Sequence, residues 1–102
     1  MIISSQRYIN EEIVAEKIAA EDFEVMLSPE FEIDGATYQI VLDGHHSLQA
    51  AKQAGVAPSF WVADCSDHDA IGLLEAGAID DFMIAVHMGN DYYNTETGKD
   101  VW

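Results

Sequence analysis

The chain has 102 residues, of which 49% are hydrophobic, and this composition fits one globular domain over residues 1–102 and excludes a disordered acidic tail. It carries 19 acidic residues against four basic ones, for a formal net charge of −15. Nucleic-acid binding depends on basic side chains that neutralise phosphates, so this balance argues against direct contact with nucleic acid.

No apolar run approaches the length of a membrane span, and the first residues lack the apolar stretch of a signal peptide. Cys65 is the only cysteine, so no intrachain disulfide is expected. We therefore expect a cytoplasmic protein that does not enter a membrane.

Alternating strands and helices are predicted in the first half of the chain. Asn10 is a typical N-cap, and the Asp34-Gly35 pair between two alternating runs favours a tight β-hairpin. Residues Tyr38, Ile40 and Leu42 of the second run share one face. The predicted elements are a strand at 1–5, a helix from Asn10 to about Ala20, a strand at 23–27, hairpin strands at 31–33 and 38–42, and a helix from about His46 to Ala54.

Fewer elements are predicted in the second half of the chain. The apolar segment 60–63 is predicted as a buried strand, and residues 66–69 have the pattern of a capping box before a helix at 70–76 that ends at Gly77. Asp80 and Asp81 suit the start of a helix over 82–87, although 83–86 also fits a strand. The tail, 92–102, fits a hairpin or an ordered loop. Together these elements predict an α/β (α+β) fold with a small mixed sheet and packed helices.

Residues 40–55 form the most informative segment, an apolar strand followed by a tight turn and an Ala-rich helix that ends at Gly55. A helix that begins after a glycine turn presents free N–H groups and the positive end of its dipole, which favours anions. Asp43, His45 and His46 are the candidates for acid–base catalysis, the alternative being a histidine pair that only holds the helix start against the hairpin. The candidate phosphate or nucleotide ligands are Gly44, His45, His46 and Ser47.

The same segment resembles the DGHHR…AA motif of the ParB/sulfiredoxin superfamily, which includes nucleotide- and DNA-binding partition proteins, ATP-using sulfiredoxins and small nuclease-like proteins. The resemblance spans about residues 1–76 and implies a ParB/sulfiredoxin-like fold whose turn holds nucleotide phosphates. Ser47 stands where the family has Arg, which supplies a fixed charge and a two-pronged phosphate contact. Sulfiredoxins have their reactive cysteine within this motif, whereas Cys65 lies outside it.

Cysteine chemistry and metal binding have weak signals. Cys65 and His68 have the spacing of two zinc ligands, but a second ligand pair is absent, so no metal site is predicted. Cys65 is predicted instead as a small, half-buried residue at a strand end. No cofactor is expected, and a nucleotide with Mg²⁺ belongs only to an enzymatic alternative.

Residues 53–98 contain eight acidic residues and no Lys or Arg. The negative electrostatic field of such a segment attracts basic surfaces. The alternative is that these acids only keep the protein soluble. The aromatic residues of the tail are predicted to pack across strands or to form the centre of an interface with an acidic rim. The candidate partner-binding residues are Asp64, Asp67, Asp69, Asp80, Asp81, Asp91, Tyr92, Tyr93 and Trp102.

The leading hypothesis is a non-enzymatic, acidic inhibitor of phage or plasmid origin. It would imitate DNA and block the nucleic-acid-binding surface of a basic defence or DNA-processing protein, as anti-restriction or anti-CRISPR proteins do. The alternatives are a ParB-like nucleotide-dependent enzyme or nuclease that uses the turn at Asp43–His46, and a homodimeric scaffold.

Overall fold

The computed structural model describes all residues from 1 to 102 and shows the predicted α+β fold. Six strands form one mixed sheet: β1 (Ile2–Ser4), β2 (Glu24–Leu27), β3 (Phe31–Ile33), β4 (Ala36–Asp43), β5 (Ser59–Val62) and β6 (Tyr93–Asn94). Four helices accompany them: α1 (Glu11–Ala19), α2 (His45–Ala54), α3 (Ile71–Glu75) and α4 (Ile79–Ala85). No helix is long and apolar enough to cross a membrane.

Strand β4 is the centre of the sheet, whose order is β5-β2-β4-β1-β6 with β3 paired to β4 outside this path. Strands β1 and β4 are parallel, as are β2 and β5, whereas β2 and β6 run antiparallel to β4 and β1, respectively. Strand β5 therefore lies at one edge of the sheet and has a single neighbour.

The predicted hairpin is confirmed. Phe31 pairs with Tyr38 and Ile33 with Ala36, which leaves Asp34 and Gly35 as a two-residue turn. Both turn residues have positive φ angles, 51° and 81°, as the turns that match the twist of paired strands require.

Alternation along β4 divides the core between the two faces of the sheet. The predicted face of Tyr38, Ile40 and Leu42 packs with Ile71 of α3 and Phe82 of α4. Val41 faces the other way and packs in a second cluster with Val25, Leu27 and Leu48 of α2. The sheet is thus covered by α2, with α1 packed on it, on one face and by α3 and α4 on the other.

The prediction of a buried strand at 60–63 is wrong for three of its four residues. Phe60, Trp61 and Val62 are 45%, 42% and 56% exposed, and only Ala63 is buried. The reason is position, since a strand at the edge of the sheet has one neighbour and is only partly covered, so side chains that its apolar composition would place in a core are exposed.

The predicted capping box is also displaced. Helix α3 begins at Ile71 without a side-chain cap, and the reciprocal bonds form earlier in the chain. The Asp64 carboxylate accepts the Ser66 N–H at 2.8 Å, and Asp67 accepts the Asp64 N–H at 2.9 Å. Asp64 lies two residues after the end of β5 and, together with Asp67, closes the turn that precedes α3.

The remaining elements settle alternatives that the sequence left open. Residues 79–85 form a helix rather than a strand, with Asp80 and Asp81 in its first turn. The tail combines the two predicted forms, because β6 pairs with β1 and Tyr93 forms an isolated bridge with Asp100.

Candidate functional site

The turn between β4 and α2 requires glycine at position 44. Gly44 has a φ of 94°, and a Cβ at this position would lie 2.5 Å from the backbone oxygen of Glu24 in β2. Its N–H donates to the Asp43 carboxylate at 2.8 Å. The turn is therefore packed directly against β2. The N–H of Gly44 is already bonded to Asp43 and is not available to a ligand.

His45 lies inside the protein. Only 7% of it is exposed, and its Nε2 lies 2.6 Å from the hydroxyl of the fully buried Ser4 in β1. Burial lowers the pKa of His45 to about 4; the Asp43 charge opposes this shift and His46 adds to it. The ring is neutral at pH 7 and holds the start of α2 against β1.

His46 connects the starts of the two helices that share one face of the sheet. Its Nε2 accepts the backbone N–H of Asn10 at 3.1 Å, while the Asn10 side chain accepts from Glu12 N and Ile13 N as the predicted N-cap of α1. The two histidines thus bond to β1 and to the α1 cap, not to the hairpin.

Ser47 is 2% exposed, and its hydroxyl lies 3.5 Å from a carboxylate oxygen of Asp22. Asp22 also forms an ion pair of 2.8 Å with Lys17. The hydrogen bond between Lys17 and Asp22 raises the pKa of the Lys17 amine and lowers the pKa of the Asp22 carboxyl, so both groups are charged at pH 7. Lys17 is a basic residue beside the turn that sequence reasoning missed, because it lies in α1 and only the packing of α1 on α2 brings it there.

A cavity of about 170 Å³ lies at the start of α2, lined by Gln6, Lys17 and residues 43–47. The backbone N–H groups of His45, His46 and Ser47 have no acceptor within the protein. One cation and three free N–H groups therefore lie at the start of α2, close to the carboxylates of Asp43 and Asp22. The geometry can hold an anion, but it does so next to two negative charges.

Most of the basic residues are occupied within the protein. Arg7 donates to Gly98 O and to Asp100, and its guanidinium lies 4.1 Å from the centre of the Tyr93 ring. Lys52 donates to the backbone oxygen of Thr95. With Lys17 paired to Asp22, Lys99 is the one basic side chain that makes no hydrogen bond or ion pair within the protein.

The acidic residues of segment 53–98 have the opposite character. All eight are exposed, and none forms an ion pair, since the two ion pairs of the protein are Arg7–Asp100 and Lys17–Asp22. A hydrogen bond from the Ser66 hydroxyl lowers the pKa of Asp64, which keeps that carboxylate ionised. These residues form the acidic surface: Asp64, Asp67, Asp69, Glu75, Asp80, Asp81, Asp91 and Glu96.

The predicted aromatic residues of the tail have different environments. Tyr92 is buried, donates its hydroxyl to Met83 O and packs against Trp102 with ring centres 6.0 Å apart. Trp102 is 55% exposed and lines a shallow cavity of about 270 Å³ with Asp34 and Asp80. Tyr93 instead stacks with Arg7, so the three aromatic residues do not form one exposed patch.

Cys65 is exposed, which corrects the prediction of a half-buried residue. Its sulfur lies 2.9 Å from a Glu75 oxygen, and this hydrogen bond raises the pKa of the thiol, which makes it a poor nucleophile at pH 7. His68 accepts the Ala70 N–H instead of contacting the thiol. No group of three or more His, Cys, Asp or Glu side chains is arranged to hold a metal ion.

Comparisons with protein-family models, with curated proteins and with solved structures each found no match.

Proposed function

We propose that this protein is a non-enzymatic inhibitor that binds the basic, nucleic-acid-binding surface of a protein in the cytoplasm, such as a defence or DNA-processing protein. The observation that supports this is the acidic surface. Its eight carboxylates are exposed and unpaired, while three of the four basic side chains are bound elsewhere in the protein.

The physical argument rests on the segregation of charge. A carboxylate paired to a neighbouring Lys or Arg contributes little to the long-range field, whereas unpaired carboxylates add up to a potential that steers cationic surfaces. Six of the eight, from Asp64 to Asp81, lie on α3, on α4 and in the turn before α3, a part of the chain without any base, so a partner that binds DNA phosphates meets an array of negative charges there.

The experiment is a competition between this protein and DNA. Labelled duplex DNA is bound to a purified restriction endonuclease or CRISPR effector, and its displacement by the protein is followed by fluorescence anisotropy at several salt concentrations. We expect displacement that weakens as salt rises, because both contacts are electrostatic. Displacement that does not depend on salt, or none with any basic DNA-binding protein, would contradict the proposal.

Two triple variants make a matched test, because each removes three exposed negative charges in or next to helices. Neutralising the acidic surface with Asp69→Asn, Asp80→Asn and Asp81→Asn should weaken displacement. Neutralising α1 with Glu11→Gln, Glu12→Gln and Glu16→Gln should leave it nearly unchanged. Equal losses would mean that net charge alone, rather than this surface, is responsible.

The second candidate is the ParB-like activity, a nucleotide-dependent enzyme or nuclease centred on the turn at Asp43–His46. The observation that favours it is Lys17, which places a cation beside the free N–H groups of α2. The test is thermal unfolding with ATP or CTP and Mg²⁺. Stabilisation of the natural chain would support phosphate binding, while stabilisation of Ser47→Arg alone would indicate a fold that retains the turn but not the ligand.

A further inference from the structure

We propose that the open edge of β5 binds an extended segment of a protein partner that carries Lys or Arg, which adds a strand to the sheet. This inference rests on the proposed function, because both require a basic partner, and it names the part of that partner and the place where it binds. Strand β5 pairs with β2 alone, so its other edge has no neighbour.

The backbone of β5 presents free hydrogen-bonding groups along this edge. The N–H of Ser59 donates to Phe23 O at 2.8 Å, and the N–H of Ala63 donates to Leu27 O at 2.9 Å, both on the β2 side. Successive N–H groups of a strand point to opposite edges. Those of Phe60 and Val62 therefore point away from β2, where an added strand would bond to them.

The edge is short, with four residues, but it lacks two of the features that normally prevent pairing. Natural edge strands carry charged residues or proline that discourage another strand. Here the longest run of the chain without a charged residue, 53–63, contains the whole of β5, and Pro58 precedes the strand instead of interrupting it. Charged residues make up 23% of the chain, yet none lies on this strand. The open edge of β5 is therefore available for pairing.

Large apolar side chains stand on both faces of this edge. Phe60 and Val62 lie on the face of α2, and Trp61 lies on the other, each between 42% and 56% exposed. A strand added beside them would cover part of each, so that apolar burial adds to the backbone hydrogen bonds.

The charges around Trp61 indicate which residues the added strand carries. Trp61 lines a cavity of about 180 Å³ together with three carboxylates, those of Asp22, Glu24 and Asp43, and one cation, Lys17. Lys17 pairs with Asp22, which leaves the other two carboxylates without an ion pair. The cavity thus holds two more carboxylates than cations, and a Lys or Arg side chain that entered beside the indole ring would balance that excess.

A second copy of the chain is a poorer occupant of this edge. Strand β5 contains no Lys or Arg that could fill the Trp61 cavity of another copy, and two chains of charge −15 repel each other. A basic extended segment relieves both problems.

The test uses a blocked synthetic peptide of about eight residues in which lysine and valine alternate, with a peptide of alternating glutamate and valine as control. Amide hydrogen exchange of the protein is measured by NMR with each peptide. We expect the lysine peptide to slow exchange at Phe60 and Val62, whose N–H groups face the open edge, and the glutamate peptide to have no effect. Absence of protection at both amides would overturn the proposal.

Two tryptophan variants separate this site from general charge attraction. Trp61→Ala should weaken the lysine peptide about tenfold, the scale of a lost cation–π and apolar contact. Trp102→Ala is the matched control, because this exposed tryptophan also lies beside carboxylates but not on an open strand edge, and it should leave affinity unchanged. Equal weakening by both variants would contradict the site.

Two further outcomes have defined meanings. Protection of Phe60 and Val62 that rises with protein concentration in the absence of peptide would show self-pairing and overturn the basic occupant. Peptide binding at β5 in a protein that never displaces DNA would retain this inference and reject the proposed function. Displacement of DNA without protection at β5 would support the proposed function and reject this inference.

Discussion

The turn before α2 offers a stringent test of how the fold is held, through Gly44→Ala. Gly44 and Gly55 begin and end the same helix, and both have left-handed backbones, with φ angles of 94° and 69°. A left-handed conformation costs an L-residue about 1–2 kcal/mol, and this penalty applies to alanine at either position. The two substitutions therefore share their backbone cost and differ only in what the new methyl group meets.

The surroundings of the two glycines differ. An alanine Cβ at position 55 meets nothing within 4 Å, whereas one at position 44 would lie 2.5 Å from Glu24 O and 3.0 Å from Val25 Cα. These are backbone atoms of β2, which is bonded to β4 on one side and β5 on the other, so they cannot move aside as a flexible side chain would. Forcing extra volume into such packing typically costs about 1–3 kcal/mol more.

Urea unfolding at pH 7, followed by circular dichroism, measures this difference. We expect Gly55→Ala to lose about 1–2 kcal/mol of unfolding free energy, and Gly44→Ala to lose about 2–5 kcal/mol, with unchanged m-values for both. If the two variants lost the same free energy, the close approach of the turn to β2 would be refuted as the reason for glycine at position 44.

Three further predictions concern single groups. Burial holds the pKa of His45 near 4 in the folded chain, against about 6.5 in the unfolded chain, so the unfolding free energy should be unaffected by this group above pH 6.5 and should decline by about 3 kcal/mol as the pH falls towards 4. Urea titrations should show a shallower decline for His45→Gln. An identical decline would contradict this role. Asn10→Ala should cost about 1 kcal/mol by removing the α1 cap, whereas Asn10→Asp should retain most of the stability in the same assay. Tyr92→Phe should lower thermal stability by about 1 kcal/mol, since the Met83 backbone oxygen loses its donor while the ring packing remains; no change would mean that solvent replaces the bond.

Local signals predicted most of the secondary structure correctly. Asn10 begins α1, Asp34-Gly35 forms the hairpin turn, and Gly55 and Gly77 follow the ends of their helices, because each depends on backbone angles or hydrogen bonds within a few residues. The capping box before α3 was misplaced because Asp64 has the same local chemistry and comes first.

The candidate site was less predictable. Sequence reasoning correctly placed residues 43–47 at one strand–helix junction, but it assigned both histidines to one role. Their environments differ because β1 covers His45, whereas the α1 cap bonds to His46. These partners come from other elements, and no pattern within the turn indicates them.

The sequence by itself determined α1, α2 and α3, the hairpin, the excess of acid and the alternating faces of β4, because these depend on neighbours in the chain or on composition alone. The tertiary structure decided where each element lies. It placed β5 at an open edge, where apolar residues face solvent, and it brought Lys17 to the α2 turn. Strand order and helix packing join residues that are distant in the chain, so burial, pairing and charge at these places follow from the assembled fold and not from any local pattern.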